Sequence, residues 1–142
     1  MMELVSFYLP SDYWEDVKEL RLRVFVDEMD VPSELEIDEG DQLALHFAFI
    51  ENGRPLATLR ILEEKQKAKI GRVAVAHSHR RQGIGTKLVQ EAINYCQKHK
   101  IQSISLGAQT YITDFYVAMG FHQQGDIFLD AGIPHVEMIL DV

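Results

Sequence analysis

The chain has a single cysteine, Cys96, so no disulfide within the chain can stabilise the fold. No stretch approaches the roughly 18 consecutive apolar residues that a membrane-spanning helix needs. The start, Met1-Met2-Glu3-Leu4, lacks the basic residues and the long apolar core of a secretory signal. These absences predict a cytoplasmic protein with no membrane partner. Its 142 residues, 46% of them hydrophobic, are expected to form one domain over residues 1–142.

Basic residues are scarce near the start of the chain. Residues 1–41 contain thirteen acids and three bases, whereas residues 42–142 contain nine acids and eleven bases. Seven basic residues and no acid lie between Lys65 and Lys87. We therefore expect a polyanion to bind near this basic stretch, and a cationic partner such as an amine near the acidic region. The pattern argues against nucleic acid, whose phosphate backbone requires a broad basic face.

Two common phosphate-binding motifs are absent from residues 73–88, although the segment contains closely spaced glycines. An apolar, strand-like run leads through a basic loop to Gly83 and Gly85, and an amphipathic helix follows. A dinucleotide fingerprint would need a third glycine at Leu88, and the residues after Gly85 stand in the wrong order for a Walker A loop. The order of strand, glycine turn and helix still directs backbone N–H groups and the positive helix end towards an anion.

Several sequence patterns resemble one known superfamily. The spacing Arg80-x-x-Gly83-x-Gly85 resembles the acyl-CoA pyrophosphate loop of the GNAT superfamily of N-acyltransferases. A second pattern is similar to the C-terminal signature of that superfamily, in which a short helix ends in Gly-Phe: Phe115-Tyr116-x-x-Met119-Gly120-Phe121. Two more resemble its ElaA-like (YjcF-like) branch: Leu20-Arg21-x-x-Val24-Phe25-Val26-x-Glu28 and Gly132-Ile133-Pro134-His135-x-x-Met138. The resemblance extends along nearly the whole chain.

This resemblance implies an α/β fold of mixed α+β type in a single GNAT-like domain. Its central sheet would be mixed and mostly antiparallel, with a parallel strand pair at the cofactor cleft and helices on both faces. The implied activity is N-acetyl transfer from acetyl-CoA, without a metal, to a primary amine of a small molecule or protein. The amine would attack directly in a ternary complex, and the protein would be a monomer or homodimer. The alternative is a CoA-binding sensor or interaction module with the same fold and no turnover.

The resemblance also implies roles for individual residues. Tyr116 would protonate the leaving thiolate as general acid, while the adjacent Phe115 faces the core instead. Gln109 stands where many relatives carry an asparagine that helps to hold the pantetheine arm. The residues expected to contact acetyl-CoA are Val73, Ala74, Val75, Arg80, Arg81, Gln82, Gly83, Ile84, Gly85, Thr86 and Gln109.

The acceptor site is expected to lie on the acidic side of the molecule. Residues 27–42 are interpreted either as a lip that attracts a positively charged amine, or as a solvated loop or short helix. The residues expected to contact the acceptor are Glu28, His46, Arg72 and His135. His46 has the alternative interpretation of a hydrogen-bonded core residue, and Arg72, like Arg60, that of a structural salt-bridge partner. The candidates for the general base are Glu28, Glu36, Asp38, His46, His135 and a water relay.

Local patterns predict how some strands pair. Asn52-Gly53 predicts a two-residue hairpin turn that pairs Glu51 with Arg54 and, counted onwards, His46 with Leu59. This register would place His46 on one face with Ala48, Ala57 and Leu59. A first helix is predicted to begin after a cap at Ser11 or Asp12 and to end near Asp27. The strand at residues 102–108 is predicted to run parallel to the one before the glycine loop, and residues 121–129 and 133–140 to form an antiparallel pair.

Overall fold

Seven strands form one sheet in the computed structural model, which describes all 142 residues. In chain order they are β1 (Glu3–Phe7), β2 (Leu45–Glu51), β3 (Arg54–Glu64), β4 (Lys67–Val75), β5 (Ser103–Gln109), β6 (His122–Asp130) and β7 (Ile133–Asp141). Their order across the sheet is β1-β2-β3-β4-β5-β7-β6. β4 and β5 run parallel, and every other neighbouring pair is antiparallel. The predicted mixed sheet with one parallel pair is therefore confirmed.

Five α-helices accompany the sheet: α1 (Trp14–Arg21), α2 (Ser33–Glu36), α3 (Gly40–Leu43), α4 (Ile84–Lys98) and α5 (Thr113–Val117). A π-helical segment, Leu22–Glu28, continues directly from α1, and short 3-10 turns occupy His77–His79 and Thr110–Ile112. The cap predicted at Ser11 or Asp12 does not form: α1 begins after Tyr13 without a side-chain cap, and Ser11 Oγ accepts from the Tyr13 N–H instead. The first helix was expected to stay α-helical to about Asp27, and the structure replaces its second half with the wider π-helical turns. No helix of the chain is long and apolar enough to cross a membrane.

The two faces of the sheet are covered by different helices, as predicted. The apolar side of α4 packs on one face, against side chains that alternate along the central strands, such as Phe47 and Leu59. On the other face, Val17 of α1 packs with Phe7, Ala48 and Ile50. Leu20 and Val24 pack there against Ala74 of β4. The main hydrophobic core thus lies under α4, while α1 and the π-helical segment cover the side that carries polar groups.

The register predicted for the first hairpin is wrong beyond its turn. Glu51 pairs with Arg54 as expected, but a bulge between Phe49 and Ile50 shifts the pairing, so His46 lies opposite Arg60 and not Leu59. A shift of one residue moves side chains to the opposite face. Ala57 and Leu59 therefore belong to the core under α4, whereas His46 lies on the α1 face.

A second bulge lies at the centre of β4. Arg60 pairs with Gly71 and Thr58 with Ala74, so Arg72 and Val73 together face a single residue of β3. Arg72 has a positive φ of 54°, which few non-glycine residues adopt. The extra residue lets Val73 pack towards the same core as Ile70, while the Arg72 side chain turns to the α1 face. The bulge follows immediately after Gly71.

The parallel pairing of β4 and β5 ends before either strand does. Its last pair is Ile70 with Leu106, yet β4 continues to Val75 and β5 to Gln109. Beyond that pair the strands diverge, and their facing backbone edges are not hydrogen-bonded to each other. The result is an open cleft at the centre of the sheet.

The acidic segment that follows the π-helix is bound to the sheet by arginines. Buried Arg21 of α1 donates to Glu36 Oε2 at 2.8 Å and to Asp41 Oδ1 at 2.6 Å. Arg60 donates to Asp38 Oδ1 at 2.6 Å and to Asp41 Oδ1 at 2.9 Å, and Arg72 to Asp38 Oδ2 at 3.1 Å. We call these six residues the arginine–carboxylate network. Three of the eight acids in residues 27–42 are thus paired with guanidinium groups and do not attract an amine, and α2 and α3 match the alternative of a short helix.

Arg21→Ala should lower the free energy of unfolding by about 3–5 kcal/mol, because it leaves Glu36 and Asp41 buried without their main partner. Arg23→Ala is the matched control two residues away: Arg23 makes an exposed ion pair with Glu19, and its loss should cost less than about 1 kcal/mol. Urea unfolding followed by circular dichroism compares the two. Equal losses would mean that the network contributes no more than a surface pair.

Candidate active site

Two cavities meet at the cleft between β4 and β5. The larger has a volume of about 920 Å³ and the smaller of about 210 Å³. Both are bordered by the same six residues, namely Phe25, Met29, Val73, Gln109, Ile112 and Tyr116. The cavities therefore join where the sheet opens, which gives two molecules a place to meet across the bulge of β4.

The larger cavity ends at the start of α4. Gly83 is the N-cap of that helix with a φ of 79°, a conformation that side chains disfavour. Gly85 has a different role, because a Cβ there would lie 3.3 Å from Val75 Cγ2 and 3.6 Å from Phe115 Cζ. Gly83 thus forms the turn, and the absence of a side chain at Gly85 lets a ligand come close to the first N–H groups of a fifteen-residue helix. This arrangement suits a bound phosphate.

Most of the residues predicted to contact acetyl-CoA border this cavity. The exception is Gln82, which does not border either cavity. Gln109 borders both cavities and is held in place through its side chain, whose Nε2 donates to Met29 Sδ at 3.5 Å and whose Oε1 accepts from Tyr111. The predicted residues that do border it are Val73, Ala74, Val75, Arg80, Arg81, Gly83, Ile84, Gly85, Thr86 and Gln109.

Arg80 is oriented by two contacts at the larger cavity. Its Nε donates to the Val75 carbonyl at 3.0 Å, and its Nη1 and Nη2 donate to the carboxylate of Glu28 at 2.6 and 3.0 Å. This bidentate pair joins the π-helical segment to the loop before α4. Glu28 was expected at the acceptor, but it borders the larger cavity only, as the partner of Arg80.

The two neighbouring aromatic residues of α5 have exchanged the orientations expected of them. Phe115 was predicted to face the core, yet it is 36% exposed and borders the larger cavity. Tyr116 is 5% exposed and packs edge-on against Phe115 and Phe121, with ring centroids 4.9 and 5.8 Å away. Burial raises the pKa of Tyr116 to about 12. The phenol therefore remains protonated at neutral pH and can act as a proton donor.

The smaller cavity lies on the α1 face of the sheet. Apolar side chains form just over half of its wall, and the charged residues that border it are Glu36, Arg60 and Arg72 of the network together with Lys69 and Asp130. Arg72 is held by the Leu35 and Glu36 carbonyls, both at 3.1 Å. Of the predicted acceptor residues, the structure brings Arg72 and His135 together here.

The His135 ring is fixed by a backbone contact. Its Nδ1 lies 2.6 Å from the Ile133 carbonyl oxygen, which can only accept, so Nδ1 carries the hydrogen. In the neutral ring Nε2 then has a free lone pair. The ring stacks on Phe128 with centroids 5.8 Å apart, and its strand position pairs with Gln109. His135 therefore presents a hydrogen-bond acceptor to the smaller cavity.

His46 is not part of either cavity, so its predicted role at the acceptor is wrong. The ring is fully buried between Phe7 and Trp14, with centroids 5.3 and 5.1 Å away. Its Nε2 donates to the Asp41 carbonyl at 3.0 Å, and its Nδ1 has no partner. Burial lowers the pKa of His46 below its usual value of 6.5. The alternative interpretation as a core residue is the one the structure supports.

The structure separates the other candidates for the general base. Hydrogen bonds from Arg60 hold the pKa of Asp38 below its usual value, which makes it a weaker base. Burial raises the pKa of Glu36, although Arg21 opposes that shift, and the carboxylate is engaged by both Arg21 and Arg72. Glu28 is bound to Arg80. Among the five residues proposed, His135 is the one in the smaller cavity whose acceptor atom is unengaged.

Three residues at the junction of the cavities were not predicted: Phe25, Met29 and Ile112. Phe25 and Met29 come from the π-helical segment and the residue that ends it. The uninterrupted apolar run at residues 24–26 was a usable signal, since it covers more than one face of an α-helix. Insertions of π-helical turns are frequent at functional sites, and here they direct Phe25 towards the cleft.

Comparisons of the sequence with a family model and with known proteins point to one family. The sequence model of the acetyltransferase (GNAT) domain family matches residues 13–142. The uncharacterized N-acetyltransferase YjcF of Bacillus subtilis is 32% identical over 128 residues, which cover 89% of this chain and 91% of that protein. Protein ElaA of Escherichia coli is 32% identical over 131 residues, which cover 87% of this chain and 84% of ElaA.

Solved structures share the fold along its full length. An acyl-CoA N-acyltransferase from Pseudomonas aeruginosa superposes with a TM-score of 0.89 at 26% identity, covering 98% of this chain and 99% of that one. The crystal structure of Escherichia coli ElaA gives a TM-score of 0.88 at 28% identity, with the same coverage of both chains.

Burial of neutral His46 should make stability depend on pH. Below about pH 6.5 the His46 ring takes up a proton in the unfolded chain but stays neutral in the folded protein, because its pKa is lowered there. The free energy of unfolding should therefore fall as the pH decreases. His46→Gln lacks this contribution, so its free energy of unfolding should change less with pH between about pH 7 and pH 5 than that of wild type. His122→Gln, at an exposed histidine, is the control. Thermal melts across this range test the idea, and parallel slopes for wild type and His46→Gln would refute it.

Proposed function

Because the chain belongs to the GNAT acetyltransferase family, we propose that it transfers the acetyl group of acetyl-CoA to a primary amine by direct attack in a ternary complex. The observation that carries the proposal is the junction of two cavities at the divergence of β4 and β5. The larger suits an elongated substrate with phosphates at one end. The smaller suits a compact acceptor that meets the acyl group at the bulge.

The start of α4 is proposed to bind the pyrophosphate. Backbone N–H groups after Gly83 and the positive end of the helix supply the attraction, and Gly85 leaves room for close approach. Arg80 contributes positive charge from a position set by Glu28 and the Val75 carbonyl. Along β4, the backbone edge of residues 73–75 that faces the cleft can hydrogen-bond an extended arm as another strand would, apart from the Val75 carbonyl, which accepts from Arg80.

The chemistry requires one bond to form and one to break. A neutral amine nitrogen forms a bond to the acyl carbon and loses a proton to water, while the carbon–sulfur bond breaks and the thiolate receives a proton. We assign the donor of that second proton to Tyr116, which borders both cavities and remains protonated because burial raises its pKa to about 12. Backbone N–H groups near Val73 are proposed to stabilise the oxyanion that develops between these steps.

Valine at Gly85 should weaken binding of acetyl-CoA strongly. The new side chain would start 3.3 Å from Val75 Cγ2 and fill the space above the first turn of α4. Isothermal titration calorimetry should show the affinity for acetyl-CoA falling from wild type to Gly85→Ala and further to Gly85→Val. The melting temperatures should change much less. A folded Gly85→Val protein that binds acetyl-CoA normally would exclude this loop as the phosphate site.

Tyr116→Phe should lower kcat by roughly a hundred- to ten-thousand-fold, because it removes the proton donor and leaves the packed ring in place. Binding of acetyl-CoA should change little. Tyr95→Phe is a matched control, since Tyr95 also has a pKa raised to about 12 by burial but borders neither cavity. Release of free CoA thiol with a panel of amines measures kcat, and mass spectrometry identifies the acetylated product.

Three outcomes separate the alternatives. Near-normal kcat in Tyr116→Phe, with acyl transfer rate-limiting, would remove this residue as the acid without affecting the proposed function. An equal loss in Tyr95→Phe would point to a general effect of deleting a buried phenol. Binding of acetyl-CoA with no turnover for any amine would favour a CoA-binding sensor over an enzyme.

A further inference from the structure

We propose that the acceptor is a small primary monoamine with an apolar body, and that Nε2 of His135 accepts a hydrogen bond from its nitrogen. This inference rests on the proposed function, since it takes the smaller cavity as the acceptor site. It follows from the size of that cavity, the composition of its wall and the state of every carboxylate that borders it.

The size of the smaller cavity limits the acceptor. Its volume of about 210 Å³ is below the roughly 300–1,000 Å³ of sites that hold drug-sized ligands. A multi-ring amino sugar or a folded peptide segment would extend beyond it. A single short chain or one ring would.

The wall favours an apolar body. Phe25, Met29 and Leu35 form one side, from the π-helical segment and its continuation. Phe128 and Ile133, from the last two strands, form another. Burying an apolar group against such a surface is favourable in proportion to the apolar area removed from water, whereas a polar or charged body would lose its hydration there.

The buried carboxylate of the wall does not provide a site for a second ammonium group. Glu36 is buried and bound by Arg21 at 2.8 Å and Arg72 at 3.2 Å. The other carboxylate is that of Asp130, which lies exposed at the end of β6. The acidic composition of residues 27–42 therefore does not produce a site for a polycation, because arginines already neutralise its inward-facing groups.

His135 supplies the acceptor that an amine nitrogen needs. The Ile133 carbonyl fixes the hydrogen on Nδ1, so Nε2 offers its lone pair to the cavity that Tyr116 also borders. The wall also carries cations, since Lys69 and Arg72 border it, so a second positive charge on the acceptor molecule would be repelled there. The open Nε2 of His135 calls for a donor on the acceptor molecule, such as N–H.

A matched pair of substrates tests the acceptor class. Pentylamine and cadaverine have the same carbon chain, and cadaverine adds a second ammonium group at its far end. Thiol release should give pentylamine a kcat/KM roughly tenfold or more above that of cadaverine, because the second ammonium group would lose water near Arg72 and Lys69 without a buried carboxylate to pair with. Equal or better use of cadaverine would overturn the proposal.

Variants of His135 test the contact with nitrogen. His135→Phe keeps an aromatic ring against Phe128 and removes the acceptor, so the KM for pentylamine should rise roughly tenfold while the KM for acetyl-CoA is unchanged. His135→Gln, whose amide oxygen can accept a hydrogen bond near the same place, should recover part of that loss. Asp130→Asn should leave the KM for pentylamine within about twofold. If His135→Phe binds pentylamine as well as wild type does, or if Asp130→Asn has the larger effect, the assignment to His135 is wrong.

Direct binding separates failure of this inference from failure of the proposed function. Calorimetric titration of pentylamine and cadaverine into the CoA-saturated protein needs no turnover. Stronger binding of pentylamine that is lost in His135→Phe supports the inference, even in a protein that transfers no acetyl group. Turnover of other amines, with neither pentylamine binding nor pentylamine acetylation, would overturn the inference and leave the transferase function standing.

Discussion

The candidate site depends on one constraint in the sheet: β4 and β5 stop pairing after Ile70 and Leu106, although both strands continue. Each strand is held on its outer side, β4 by β3 and β5 by β7, so the two cannot close the gap between them. The bulge at Arg72 and Val73 lies at the point where they separate. Backbone groups that a regular sheet would satisfy internally are thus left facing a cleft, which suits an extended ligand.

The arginine–carboxylate network determines what kind of molecule can enter the smaller part of that cleft. Arg21, Arg60 and Arg72 come from α1, β3 and β4, and they bind the short helices that follow the π-helical segment. The result is a wall whose charges are paired within the protein. Buried ion pairs of this kind contribute little net stability over apolar packing, but losing one partner is costly, so the network favours one arrangement of the cleft over others.

The sequence predicted the larger cavity better than the smaller one. The loop from Arg80 to Gly85 is a local feature, in which a turn, a close approach and a helix start follow from consecutive residues. The acceptor side depends on distant contacts. A bulge in β3 placed Arg60 instead of Leu59 opposite His46, and the π-helical turns brought Phe25 and Met29 to the cleft. Adjacent residues of α5 posed a similar problem, since either Phe115 or Tyr116 satisfies the apolar pattern.

Sequence by itself determined the order of the elements, the parallel pair, the position of the glycine loop and the family resemblance, because each is encoded in residues that are close along the chain. Only the tertiary structure decided where charge remains available. Eight acids among residues 27–42 suggest an attractive surface for an amine. The fold brings three arginines from separate elements against the inward-facing carboxylates and leaves Nε2 of His135 as an open acceptor. Whether a charge is paired depends on partners distant in sequence, and no local pattern specifies them.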